Sequence, residues 1–316
     1  MSLSPKELEE HCQQILTSSR IRNRIVVLCE GDIKEAVERK SPQAYRRMEQ
    51  MPDANFYKKC VPRFWRDKPR PQFFNCGDRK DVIDSYFQLL KLHKLQTSES
   101  FLEPSKLFAL VDLDIQSQKI DDHCFRDIEE IFRNLYQKNK VTLTKSIDNY
   151  HIWVTGLIHK EAYFITPNVQ EVFNNSIFAP QYQNNSVLLE NIYLTICDEI
   201  TKDIDLRNNF DRAMQRINYC QDINCCDLDQ LKDSWQQAFT NSSDEQQKRE
   251  LVLLLLTIRK AKKYWQQIKP HSNCNIDIQR FREQLSLAIG EFYSRQDWHN
   301  PENHIASFFR NLYEYC

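Results

Sequence analysis

Short, uniformly apolar runs alternate with amphipathic stretches through the first half of the chain. Residues 25–29 (Ile-Val-Val-Leu-Cys), 107–111 (Leu-Phe-Ala-Leu-Val) and 150–157, around Ile152-Trp153-Val154, lack the polar alternation of half-exposed strands. They predict parallel strands buried on both faces. Residues 72–75 predict another short strand. Helical spacing is read over residues 5–18, over 122–137, and from Asp78, an expected N-cap, to about Lys94. A further helix is expected near Ile33. Such alternation predicts an α/β fold, a parallel sheet flanked by helices. After Thr166 the strand signals stop. Residues 188–202, 206–220, 228–239, 244–269, 276–294 and 301–315 all show helical periodicity, and Ser242-Ser243-Asp244-Glu245 reads as the capped start of the longest. The expected organisation is therefore an α/β domain over 1–165 and a mostly α-helical domain over 166–316.

Composition narrows the function. The 316 residues include only four glycines, Gly31, Gly77, Gly156 and Gly290, too scattered for a G-x-G-x-x-G turn or a P-loop. Dinucleotide enzymes, Walker-type ATPases and protein kinases are excluded on that ground. With 43 basic and 44 acidic residues, the chain as a whole does not attract polyanions, so any nucleic-acid site must be a local patch. Eleven cysteines with no C-x-x-C pair read as reduced thiols. The polar start shows no signal peptide, and the longest apolar run, 251–258, is too short to span a bilayer. A cytoplasmic protein with no membrane partner is expected.

Two of the apolar strands end in acid. Glu30-Gly31 follows 25–29, and Asp112-Leu113-Asp114 follows 107–111. Carboxylates two residues apart in extended backbone project to the same side, and ligands of open parallel sheets gather at the strands' carboxyl ends. Converging carboxylates repel one another unless a cation joins them. Hard oxygen donors suit Mg²⁺ or Mn²⁺, and phosphodiester hydrolysis is the chemistry such ions serve.

The run from Ile25 to Gly31, followed by a strand ending in Asp112-Leu113-Asp114, resembles the Toprim domain of topoisomerases, primases and overcoming-lysogenization-defect (OLD) type nucleases. The likeness covers roughly residues 22–165. It implies a small parallel sheet between helices, with Glu30, Asp112 and Asp114 binding divalent metal. Asp53-Ala54-Asn55-Phe56-Tyr57 resembles the acid-x-x-Phe-Tyr segment of Toprim-like proteins in bacterial defence systems. His159-Lys160-Glu161-Ala162-Tyr163-Phe164 is similar to their later acidic segment, which makes Glu161 the implied helper at a second metal. The chain departs from the family at Lys34, where an Asp is usual, and the distance from Gly31 to Asp53 requires an insertion. Arg-Glu-Gly does not follow Asp114, as it does in type I topoisomerases, so nuclease activity is the expectation. Haloacid-dehalogenase phosphatases also use Asp-x-Asp, but Gln116 stands where they need Thr or Val.

A nuclease also needs cations near the scissile phosphate. Lys80, beside Arg79 at the expected start of a helix, is the first candidate, with Lys145 and Lys160 as alternatives. Residues 36–71 carry ten Lys/Arg against four Asp/Glu with interleaved Tyr45, Phe56, Tyr57, Phe64 and Trp65. That mixture suits salt-sensitive, base-stacking contact with unpaired strands, and equally suits aromatic anchors of a proline-rich excursion. Arg259-Lys260-Ala261-Lys262-Lys263 is a second basic patch, read as a solvated face of a long helix. Cys220, Cys225-Cys226, His299 and His304 fit no standard zinc spacing. The expected function is a Mg²⁺- or Mn²⁺-dependent endonuclease acting on DNA, or else RNA, with phage or plasmid defence implied by the resemblance. Its assembly would involve a partner ATPase or a homo-oligomer. The alternative is a non-catalytic nucleic-acid or protein binding module with a Toprim-like fold.

Overall fold

The computed structural model describes residues 3–33, 52–121, 123–142 and 151–315. Four strands form one all-parallel sheet: β1 (Val26–Cys29), β2 (Gln72–Asn75), β3 (Leu107–Val111) and β4 (Ile152–Val154), in the order β2-β1-β3-β4. Val27 pairs with Phe73 on one side and Phe108 on the other, and Leu110 with Trp153. Every residue of β1, β3 and β4 is buried, so side chains pointing either way meet other elements. This is why these strands read as unbroken apolar runs.

Helix α1 (Pro5–Leu16) starts on a capping box between Ser4 and Glu7. Helix α2 (Pro52–Cys60) precedes β2, and α3 (Arg79–Leu95) is capped by Asp78, whose carboxylate accepts the Asp81 N–H. Helices α1 and α3 pack together, with α3 against β1 and β3. Helix α4 (Ile128–Leu135) is shorter than its periodicity predicted, because the chain before it is held by an isolated bridge between Lys119 and Asp127. After the single turn α5 (Lys160–Tyr163), the chain is mostly helical, apart from a two-stranded hairpin at Gln181–Tyr182 and Asn185–Ser186.

These later helices share the sheet's core. The predicted segment 206–220 is two helices, α8 (Ile204–Asn208) and α9 (Phe210–Ile217), joined at Asn209. Helix α13 (Ile278–Tyr293) packs on α2, and α14 (His304–Tyr313) lies on the sheet. The Phe309 ring lies 6.1 Å from Phe73, and Phe308 5.5 Å from Trp153. One hydrophobic cluster runs from Cys12 to Leu312. The ten described cysteines are free thiols, and no helix among the described residues is long and apolar enough to cross a membrane.

The long helix predicted over 244–269 is broken. Helix α11 (Glu245–Ile258) stops at Arg259, and α12 (Lys262–Gln267) begins after Ala261. No glycine or proline marks the break. Arg259 is buried in an ion pair with Asp203, and the Ala261 N–H donates to His159 Nε2 at 3.0 Å. Tertiary partners thus take up what the helix would have used.

Candidate active site

The exits of β1, β3 and β4 open into one cleft of about 820 Å³, lined by Glu30, Asp32, Asp53, Asp78, Asp112, Asp114 and Glu161 together with His159, Lys160, Lys260 and Lys262. Its position follows from strand polarity. In a parallel sheet all strands end on the same edge, so acids placed just after different strands meet there.

Glu30, Asp112 and Asp114 are held by backbone. Glu30 accepts the Asp112 N–H at 2.7 Å, and Asp112 accepts the Lys160 N–H at 3.0 Å. These two bonds lace together the exits of β1, β3 and β4. Thr155 accepts the Leu113 N–H at 3.0 Å and donates to the Leu157 carbonyl at 2.7 Å. Asp114 donates its N–H to the Ile158 carbonyl at 2.8 Å, and its own carboxylate accepts the Ile115 N–H. Its φ of 41° puts it in the left-handed region, which Asp tolerates better than most residues. Asp112 and Asp114 therefore share the cleft through a turn, and not through the alternation of an extended strand that the sequence suggested.

On the other flank, Gly31 and Gly77 exchange two backbone hydrogen bonds of 2.9 Å. A Cβ on Gly31 would stand 2.4 Å from Asn75 Nδ2 and 2.7 Å from Asp53 Oδ2. Only glycine permits this approach. Asn75, at the end of β2, accepts the Ala54 N–H at 3.1 Å and so pins the start of α2. That places Asp53 in the cleft, in an ion pair with Lys160.

The electrostatics are those of crowded acids. Burial raises Glu30 from 4.5 to about 7, with Asp114 adding to the rise and the Asp112 N–H, Arg79 and Lys160 opposing it. Burial and then the Glu30 charge push Asp112 well above the carboxylate range. Burial disfavours the charge on Lys160, but Asp53, Glu161 and Asp112 outweigh it and hold the ammonium firmly protonated. Burial alone would raise Glu161. The His159 hydrogen bond and the charges of Lys160, His159 and Lys262 instead hold it far below its usual range. His159 accepts a backbone N–H at Nε2, which leaves its proton on Nδ1, 3.1 Å from the Glu161 carboxylate.

Glu30, Asp112, Asp114 and Glu161 all line this cleft. Lys80 does not. It lines a neighbouring groove with Glu9, Asp81 and Asp84, because consecutive helical residues point about 100° apart. Its neighbour Arg79 donates to the carbonyls of Leu113 and Gln116, both at 2.9 Å, clamping the turn that carries Asp114. Of the two alternatives, Lys160 lines the cleft, and Lys145 lies outside the described residues. Of the basic segment, Tyr45 and residues 36–51 also lie outside them. Phe56, Tyr57 and Trp65 are buried core anchors, and Phe64 packs on Trp298 at 4.1 Å, so these rings do not offer open stacking faces. Lys260 and Lys262 enter the site because the long helix breaks, a feature with no local signal in the sequence. His159 was legible only as the start of the His-Lys-Glu run after β4.

The donor set suits a hard divalent ion: carboxylate oxygens, two of them half-buried beside each other at a cost that a cation would relieve. As the side chains stand, no group of three or more His, Cys, Asp or Glu among the described residues is gathered in ligand geometry. One oxygen each of Glu30, Asp112 and Asp53 is instead taken up by a backbone N–H or by Lys160. Comparison with protein-family models, curated proteins and solved structures returns no match to this chain.

Proposed function

We propose that this cleft is the active site of a divalent-metal-dependent endonuclease. The observation that carries the reading is that acids from three separate strand exits, Glu30, Asp112–Asp114 and Glu161, line one cleft at the carboxyl edge of the sheet. Glu30, Asp112 and Asp114 would hold Mg²⁺ or Mn²⁺, with Glu161 assisting. Bound there, such ions supply an activated water and neutralise the leaving oxygen. The chain's own residues do the rest. Arg79 holds the turn of Asp114 in place, and Glu161 fixes the His159 ring. Lys160, protonated at the floor of the cleft, faces the charge that develops on a phosphate. Nucleic acid, DNA before RNA, is the proposed substrate, and defence against phage or plasmids is the role the Toprim resemblance suggests.

The test is incubation of the full chain with single- and double-stranded DNA and RNA in Mg²⁺, Mn²⁺ or chelator. Cleavage should require metal and disappear in Asp112→Ala and Asp114→Ala proteins that remain folded. Unchanged cleavage in both variants overturns the assignment. The Lys160–Asp53 ion pair, which already places a cation among the acids, favours a second reading as a non-catalytic binding module. Under it, neither ion changes the melting temperature and no substrate is cut.

A further inference from the structure

A second groove, of about 570 Å³, adjoins the carboxylate cleft, and Lys260 and Lys262 form the wall common to both. Lys202, Arg259 and Lys263 also line it. The acids here are already engaged. Glu199 is bonded to Lys263 and Tyr264, Asp203 to Arg259, and Asp205 to Lys260 at 2.9 Å. Among the described residues, Lys202 and Lys262 form no ion pair, and both are exposed.

Two further features point to a ligand. Arg259 is only 3% exposed and lines the groove, paired with Asp203 and donating to the Glu199 carbonyl at 3.4 Å, so its charge sits beneath the groove surface. Ile204, 69% exposed, gives the same groove one apolar face against which a sugar or base can rest. Lys260 links the two spaces, at 2.9 Å from Asp205 in the groove and 3.7 Å from Asp114 in the cleft.

We propose that this groove binds the sugar–phosphate backbone of a single nucleic-acid strand and leads it past Lys260 into the carboxylate cleft. The proposal rests on the nuclease reading for what happens in the cleft, but the binding itself needs no metal. Lys202 and Lys262 would contact successive phosphates.

The experiment is fluorescence anisotropy of the full chain with labelled oligothymidylate and oligouridylate in chelator, over a range of salt. Each single-strand phosphate contact adds about 0.7 to the salt exponent. The Lys202→Ala/Lys262→Ala protein should lose about 1.4 from the slope and bind about 25-fold more weakly at about 0.1 M salt, with an unchanged melting temperature. The Lys202→Arg/Lys262→Arg protein should retain binding. Lys80→Ala, which removes a cation outside both the groove and the cleft, should bind as the parent does, and an equal loss there overturns the assignment to the groove. An unchanged affinity and slope in the folded double alanine variant overturns the proposal. Groove-dependent binding without metal-dependent cleavage in the parent supports the groove and overturns the nuclease reading.

Discussion

Replacing Glu30 by Gln tests the crowding of acids on which the site depends. In the unfolded chain Glu30 ionises near 4.5, whereas in the folded protein burial raises this to about 7. Below 4.5 both states bind the proton and folding is unaffected. Between the two values the unfolded chain gives up its proton while the folded one keeps it, so stability falls as pH rises and the loss is complete above about 7. At about 1.4 kcal/mol per pH unit the loss over this window is at most about 3.5 kcal/mol, less whatever solvent at the cleft mouth screens. Gln keeps an oxygen to accept the Asp112 N–H, which Glu30 accepts at 2.7 Å, but it has no charge to strand. In chelator, Glu30→Gln and parent should therefore melt together near pH 4.5, and the variant should melt progressively higher as pH rises to 8. At about 2.1 cal/mol/K of unfolding entropy per residue, at most about 3.5 kcal/mol over 316 residues is a shift of at most about 5 °C. Mn²⁺ should raise the parent's melting temperature at pH 8 and raise the variant's less, because a bound ion stabilises by mass action only where its ligands remain. Differential scanning calorimetry across pH, with and without ion, reads both effects. Equal or lower melting of the variant throughout pH 5–8 would refute the claim that charge is stranded at the sheet edge.

Two further substitutions probe how the site is held. Gly31→Ala would push a methyl group into Asn75 and Asp53. It should cost about 1–3 kcal/mol in denaturant unfolding and reduce any metal-dependent activity by displacing Asp53; a parent-like unfolding curve would show that the Gly31–Gly77 approach is not needed. Arg216 is buried against Glu129 at 2.7 Å and donates to the Asp114 carbonyl at 2.7 Å. Arg216→Ala should cost about 3–5 kcal/mol, whereas Arg216→Met with Glu129→Met should recover most of it. Urea midpoints decide this, and a loss below about 1 kcal/mol in the single variant would contradict the buried pairing.

The apolar runs were legible because a strand buried on both faces has no polar positions to blur it. Gln72–Asn75 and Leu107–Val111 were read to the residue, and Asp78 as a cap follows from side-chain chemistry alone. Strand direction then placed Glu30, Asp112, Asp114 and Glu161 on one edge, a consequence of topology that short-range pattern can anticipate. Lys80 was misplaced because a helix start gives the position of a side chain along the axis but not its bearing around it. The break after Ile258 was invisible because its causes lie elsewhere: Arg259 leaves the helix for Asp203, and the Ala261 N–H for His159. Sequence alone thus determined which acids leave the strands and at which edge they emerge, since both depend on neighbours along the chain. Only the tertiary structure decided which cations face those acids and which helices cover the sheet, because side chains such as Arg259, Lys260 and Phe309 find partners on segments remote in sequence.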